Sequence, residues 1–302
     1  MQVAFRSPVI FSGGIRFMEN GIYNCGLVLE GGGTRAIYTS GVLDAFMEND
    51  ITFDYVIGVS AGSCNGASFL GKCKRRQRDI TINYVNDKRY MGLSNMLKSG
   101  EYLNGEWIFN ELTYDLSPLD QDTFENSGAT FCCVVTNAKT GNAEYLYPKT
   151  LRPRGCPEIR ASCSLPLATK GYEIGGEMYF DGGLVDSIPL ERALNDGCKK
   201  AVVILTQDKN YIKKPMNPKL QKAFKKYPMI GKAVVDRHIM YAAQQKYVEQ
   251  MEKAGLAYVI RPNTPLNCPS LEKNTAKLEG IYQLGYAQGK KVIDEVIEYI
   301  KK

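Results

Sequence analysis

Short apolar runs rich in β-branched residues alternate with helix-like patterns along most of this chain, and that alternation limits the fold more than any other feature. Residues 25–30, 53–59, 130–136, 143–147, 178–180, 201–205 and 257–260 read as strands. Residues 35–48, a stretch from about 61, and 188–195, 234–253 and 276–300 read as helices. Strands and helices in turn predict an α/β fold, a mostly parallel sheet with helices on both faces in three layers. With 302 residues, 44% of them hydrophobic, the chain can build a sizeable core.

No apolar run reaches the roughly 18 residues of a membrane-spanning helix. Residues 1–20 contain Arg6, Pro8, Gly13, Gly14 and Arg16 and lack the continuous apolar segment of a secretory signal. They are expected to be an extension, disordered or vector-derived, with Met18 a candidate start and 21–302 a single domain. The nine cysteines are odd in number and show no C-x-x-C spacing, which argues against a zinc site or a disulfide framework and for a cytoplasmic protein. No metal or cofactor is expected.

The net charge of +6 is unevenly spread, with eight lysines and no acid over 209–232 and five bases and no acid over 72–78. Such patches on an otherwise acidic body suggest an anionic surface as partner. The lysine-rich 209–232 reads as a lid or insertion facing a membrane, with Leu220, Phe224, Met229 and Ile230 as its apolar contacts. Solvated helix faces are the plainer reading of both patches.

Two glycine clusters carry the chemistry. Gly31-Gly32-Gly33-Thr34-Arg35 lies between a strand and a helix, where backbone amides can hold a phosphate or a transient oxyanion. It also fits the dinucleotide fingerprint, with Asp54 as the acid about 20 residues on. Gly58-Val59-Ser60-Ala61-Gly62 is a G-x-S-x-G elbow in a strand–turn–helix context, which exposes a serine hydroxyl. Parallel neighbouring strands would bring the two clusters together at their C-terminal ends. An acyl hydrolase needs both, a nucleophile and donors for the oxyanion; a dinucleotide enzyme has no need of the serine. Cys64, four residues after Ser60, is expected to be a packing residue.

A serine nucleophile needs a base. The one histidine, His238, falls in a polar helical stretch, and the order Ser60, an Asp, His238 formally fits a triad. Asp181, in Phe180-Asp181-Gly182-Gly183, ends a short apolar strand at a glycine turn and is the preferred candidate, although an Asp-Gly turn is also common structure.

In these segments the chain resembles the patatin-like phospholipase family. Gly31–Arg35, the Ser60 elbow, Ala161-Ser162-Cys163-Ser164-Leu165-Pro166 and Asp181-Gly182-Gly183 match its motifs in order, over roughly residues 24–200. Arg261-Pro262 lies in a later stretch that looks like bacterial members. The resemblance implies a Ser60–Asp181 dyad without histidine, an oxyanion hole built from Gly31, Gly32 and Gly33 and braced by Arg35, and an acyl lipid or other ester as substrate. It also leaves a peripheral contact with an anionic membrane as an expectation and a nucleic-acid partner as unexpected. Asp186 departs from the Asn that many relatives carry there. The alternatives are a lipid-binding or regulatory protein with a vestigial site and a dinucleotide oxidoreductase.

Overall fold

The computed structural model describes residues 23–302; the expected N-terminal extension lies outside the described residues. One eight-stranded sheet runs through the protein. Its parallel part is β3 (Thr130–Asn137), β2 (Tyr55–Val59), β1 (Gly26–Leu29), β7 (Ala201–Ile204) and β8 (Ala257–Ile260), in that spatial order. Three further strands are antiparallel: β4 (Ala143–Leu146) and β6 (Glu177–Asp181) pair with β3, and β5 (Tyr172–Ile174) pairs with β6.

The central strands are apolar at every position because both faces are covered. Leu27, Leu29, Val56, Phe131, Cys133, Val202 and Ile204 join one buried cluster, together with residues of helix α1 (Ile37–Met47) and of the helix Thr275–Lys291. Val28, Tyr55, Ile57, Val59, Cys132, Val134 and Val203 join another with Leu190, Tyr241 and Val248. The last two belong to the long helix Pro228–Lys253. Among the described residues no helix is long and apolar enough to cross a membrane.

The pairing of β3 has one consequence for everything that follows. Val134 faces Val59 of β2 and Tyr145 of β4, and Val135 faces Asp181 of β6 and Glu144 of β4. A residue has one partner on each edge of its strand, so β4 occupies one edge while β2 and β6 share the other. They run in opposite directions, and their C-terminal ends meet head to head.

The expected strands are all present, to within a residue or two. Tyr172–Ile174 escapes sequence reading because it is short and only half-buried. Several helices also do, including Arg76–Tyr84, Leu93–Ser99 and Pro157–Ser162, since none carries a long apolar period. The helix expected over 234–253 starts earlier, at Pro228, where a proline at the first turn loses no hydrogen bond. Phe224 and Ile230, expected to meet lipid, are instead buried with Phe180, Leu184 and Val234; they anchor the lysine-rich segment to the body.

The helix Thr275–Lys291 lies almost backbone to backbone on α1. A Cβ at Gly285 would overlap the Tyr38 carbonyl, and the pair is flanked by Tyr38 Oη donating to Gln288 (2.6 Å) and Tyr282 Oη donating to Asp44 (2.8 Å). Gly285→Ala gains about 1 kcal/mol of helix propensity but forces the helices apart. The net loss is expected to be roughly 1–2 kcal/mol, read as a lower urea midpoint with an unchanged slope. A midpoint equal to or above wild type would show that the contact can relax.

Candidate active site

Ser60 occupies the turn between β2 and helix α2 (Ala61–Leu70), with φ 56° and ψ −126°. A non-glycine residue at positive φ is strained and must be held there. Two features hold it. Gly62 lets α2 start directly against β1, since a Cβ there would overlap the Leu29 carbonyl oxygen. The Ser60 amide donates to Ser162 Oγ at 2.9 Å, and Ser162 Oγ lies 3.1 Å from Ser63 Oγ. Ser162 ends the helix Pro157–Ser162, within the Ala161–Pro166 motif already singled out.

β1 and β2 are parallel, with Leu29 opposite Gly58, so the loop Gly31–Gly33 emerges beside the elbow. It is tied on its far side. Glu30, buried under the loop, accepts from the Thr206 amide at 2.5 Å and from Tyr241 Oη at 2.6 Å. Thr206 Oγ1 bonds Gly31 O at 3.0 Å. Arg35 reaches away from the loop to Cys268 O (3.0 Å) and Thr206 Oγ1 (3.4 Å), and the Thr34 amide is taken by Ser270 O at 2.9 Å. Among the described residues the amides of Gly31, Gly32 and Gly33 have no protein acceptor.

Asp181 ends β6, so the head-to-head meeting of β2 and β6 brings it to Ser60. Its side chain accepts from the Gly183 amide at 2.8 Å, its own amide donates to Ser164 O at 2.9 Å, and its carbonyl accepts from Thr136 Oγ1 at 2.8 Å. Burial raises its pKa. The Arg237 charge, the neighbouring Ser60 side chain and the Gly183 amide oppose that rise. Ser60, Asp181, the three glycines and Arg35 all line one cavity of about 180 Å³. Tyr90, Leu103, Ile108 and Phe109 give it an apolar wall.

His238 is not a lining residue: its Nδ1 meets Val235 O of its own helix at 3.0 Å. Its neighbour Arg237 lines the cavity instead, with a buried Nε that has no acceptor among the described residues. Lys213, from the lysine-rich segment, also lines the cavity; burial first, then the Arg237 charge, lowers its pKa to about 8. Sequence reading missed Arg237, Lys213, Tyr241 and Ser270 because they come from distant parts of the chain with no local signature. Asp186 binds Tyr145 Oη (2.9 Å) and Gln244 (2.6 Å), and Gln244 in turn accepts the amides of Ser187 and Ile188. The departure from Asn is therefore a contact between the Asp181 turn and the long helix. Cys64 is half-buried in the cavity wall, its sulfur 3.6 Å from that of Cys163.

The dinucleotide alternative fails on geometry. Asp54 precedes β2, opposite the start of β1, whereas the glycine loop follows the end of β1. The sheet separates them by about five residues of strand, roughly 16 Å, so no ribose could reach both.

Comparison with known proteins agrees with this arrangement. The family model for patatin-like phospholipase matches residues 27–194, more than half of the chain, and a domain of unknown function, DUF6363, matches 227–301. The uncharacterized protein YjjU of Escherichia coli is 28% identical over 87% of this chain and 75% of its own length. Lysophospholipases NTE1 of Kluyveromyces lactis and nte1 of Aspergillus niger are 26% and 27% identical over 87% and 90% of this chain. The chain spans only 19% and 18% of those two proteins. With the glycine loop, the serine elbow and the Asp181 turn all inside the matched region, the chain belongs to the patatin-like phospholipase family.

Proposed function

We propose that this protein is a cytoplasmic serine hydrolase of acyl lipids, with Ser60 as nucleophile, Asp181 as its base and the amides of Gly32 and Gly33, aided by Gly31, as the oxyanion hole. The observation that carries this reading is the meeting of the Ser60 elbow and the Asp181 turn in one cavity, beside three glycine amides with no acceptor among the described residues. Family membership and relatives named lysophospholipases support a lipid ester as substrate.

Asp181 takes the Ser60 proton as the oxygen attacks the ester carbonyl. The amides stabilise the negative charge that develops on the carbonyl oxygen, each worth on the order of 3 kcal/mol in the barrier. The proton passes to the departing alcohol, and water, deprotonated by Asp181, frees the acid from Ser60. Arg35 acts indirectly, fixing the loop through Thr206 and Cys268. The apolar wall of Tyr90, Leu103, Ile108 and Phe109 suits the acyl chain, and Lys213 and Arg237 suit an anionic headgroup. Nine free cysteines fit a reducing compartment.

On a water-soluble nitrophenyl ester, Asp181→Asn is expected to fall to nearly the residual activity of Ser60→Ala, and the double variant no further, because the two act as one unit. His238→Ala should keep most activity. Turnover destroyed by His238→Ala and spared by Asp181→Asn would replace the dyad with a triad.

The raised pKa of Asp181 has two further consequences. Only the carboxylate accepts the proton, so kcat/KM should rise with pH through a limb above the ordinary carboxylate range. Arg237→Gln removes a charge that lowers this pKa and should move the limb to higher pH. A group whose pKa is higher folded than unfolded favours the fold below its unfolded pKa and loses that favour as pH rises through the folded one. Asp181→Asn should therefore be at least as stable as wild type at neutral pH, with the advantage shrinking in acid. An acid limb unmoved by Arg237→Gln would contradict the assignment.

A further inference from the structure

The helix Leu93–Ser99 turns its apolar side outward. Leu93, Met96 and Leu97 stand at i, i+3 and i+4 and form one face. They are 75%, 36% and 88% exposed, while the polar Asn95 is buried at 8%. The helix is the tip of an excursion whose stem is closed by an antiparallel bridge between Met91 and Leu103 and by the Gly92 amide on Tyr102 O at 2.9 Å. The stem is docked in turn. The amides of Tyr102 and Leu103 both reach Ala168 O, at 2.8 and 3.2 Å, and Leu167 beside it is 54% exposed. Tyr90, Leu103, Leu165 and Thr169 line the catalytic cavity. The exposed leucines thus stand on its lip.

The lip carries a small excess of positive charge, Lys88, Arg89, Lys98 and Lys170 against Asp87, Glu101 and Glu111. Arg89 pairs with both Asp87 and Glu111. Lys88, Lys98 and Lys170 are exposed. A protruding tip of seven residues offers far less than the roughly 800 Å² per partner of a stable protein interface. Apolar side chains ringed by lysine match the boundary of an anionic bilayer, with leucine below the headgroups and ammonium among them.

We propose that Leu93, Met96, Leu97 and Leu167 form the patch on which the protein seats on an anionic lipid surface, so that the cavity opens onto the lipid. This rests on the acyl-lipid reading above and adds the surface at which the substrate is met. It differs from attraction through the lysine-rich segment, since it requires insertion and not charge alone.

In full-length protein, Leu97→Trp should blue-shift its emission on phosphatidylcholine–phosphatidylglycerol vesicles, and more weakly on phosphatidylcholine alone. The double variant Leu93→Ser/Leu97→Ser should lose more than about tenfold in vesicle affinity by co-sedimentation. Hydrolysis of a lysophospholipid carried in the vesicles should fall in parallel, with kcat/KM on the soluble nitrophenyl ester unchanged. Vesicle binding unaltered in the double variant, or an unshifted tryptophan on vesicles that bind, overturns the proposal. So does wild-type self-association abolished by the double variant with vesicle binding intact, which would make the patch a contact between copies. An inert soluble ester together with a blue-shifted Leu97→Trp would retire the hydrolase reading and leave the docking patch standing.

Discussion

The site depends on two strands ending against each other. β2 runs up one edge of β3 as far as Val134, and β6 comes down the same edge as far as Val135. Where they meet, neither chain can continue straight. β2 turns through Ser60 into α2, and β6 turns through Asp181 into Gly182 and Gly183. Ser60, the first residue after β2, and Asp181, the last of β6, are therefore fixed by backbone pairing and not by flexible loops. Positioning of this kind is what an acyl-transfer site needs, since reacting groups held within hydrogen-bond reach spare much of the entropic barrier.

Around that junction the structure spends its buried polar contacts on the backbone. Glu30 ties the glycine loop to Thr206 and to Tyr241 on the long helix, and Ser162 holds the Ser60 amide. The region beyond residue 200 thus has more than a covering role. β7 and β8 extend the sheet, Arg237 and Tyr241 face the cavity, and Ser270 takes the Thr34 amide, while the glycine amides before it have no acceptor among the described residues. Part of this region is the segment matched as a domain of unknown function. In this chain that segment closes the glycine loop from behind and supplies Arg237 to the same cavity.

Much of this was legible in the sequence for a physical reason. A strand covered on both faces must be largely apolar, so β1, β2, β7 and the 131–135 run of β3 announce themselves. Ser60 and Asp181 sit at glycine-marked strand ends, where the turn itself constrains residue type. What stayed hidden has equally physical causes. The half-exposed Tyr172–Ile174 needs little apolar pattern. Phe224 and Ile230 look like surface residues among lysines until Phe180, Leu184 and Val234 cover them. Leu93–Ser99 has a good apolar stripe, but one that faces solvent. The meeting of β2 with β6 is a matter of which edge of β3 each one takes, and no local pattern records that choice.

The most direct test of the account is covalent labelling with a fluorophosphonate, which needs an activated serine and an oxyanion site but no particular lipid. The account predicts one label per chain, on Ser60, absent in Ser60→Ala, strongly slowed in Asp181→Asn and undiminished in His238→Ala. Labelling of Ser60 at the wild-type rate in Asp181→Asn, with the fold intact by circular dichroism, would contradict it.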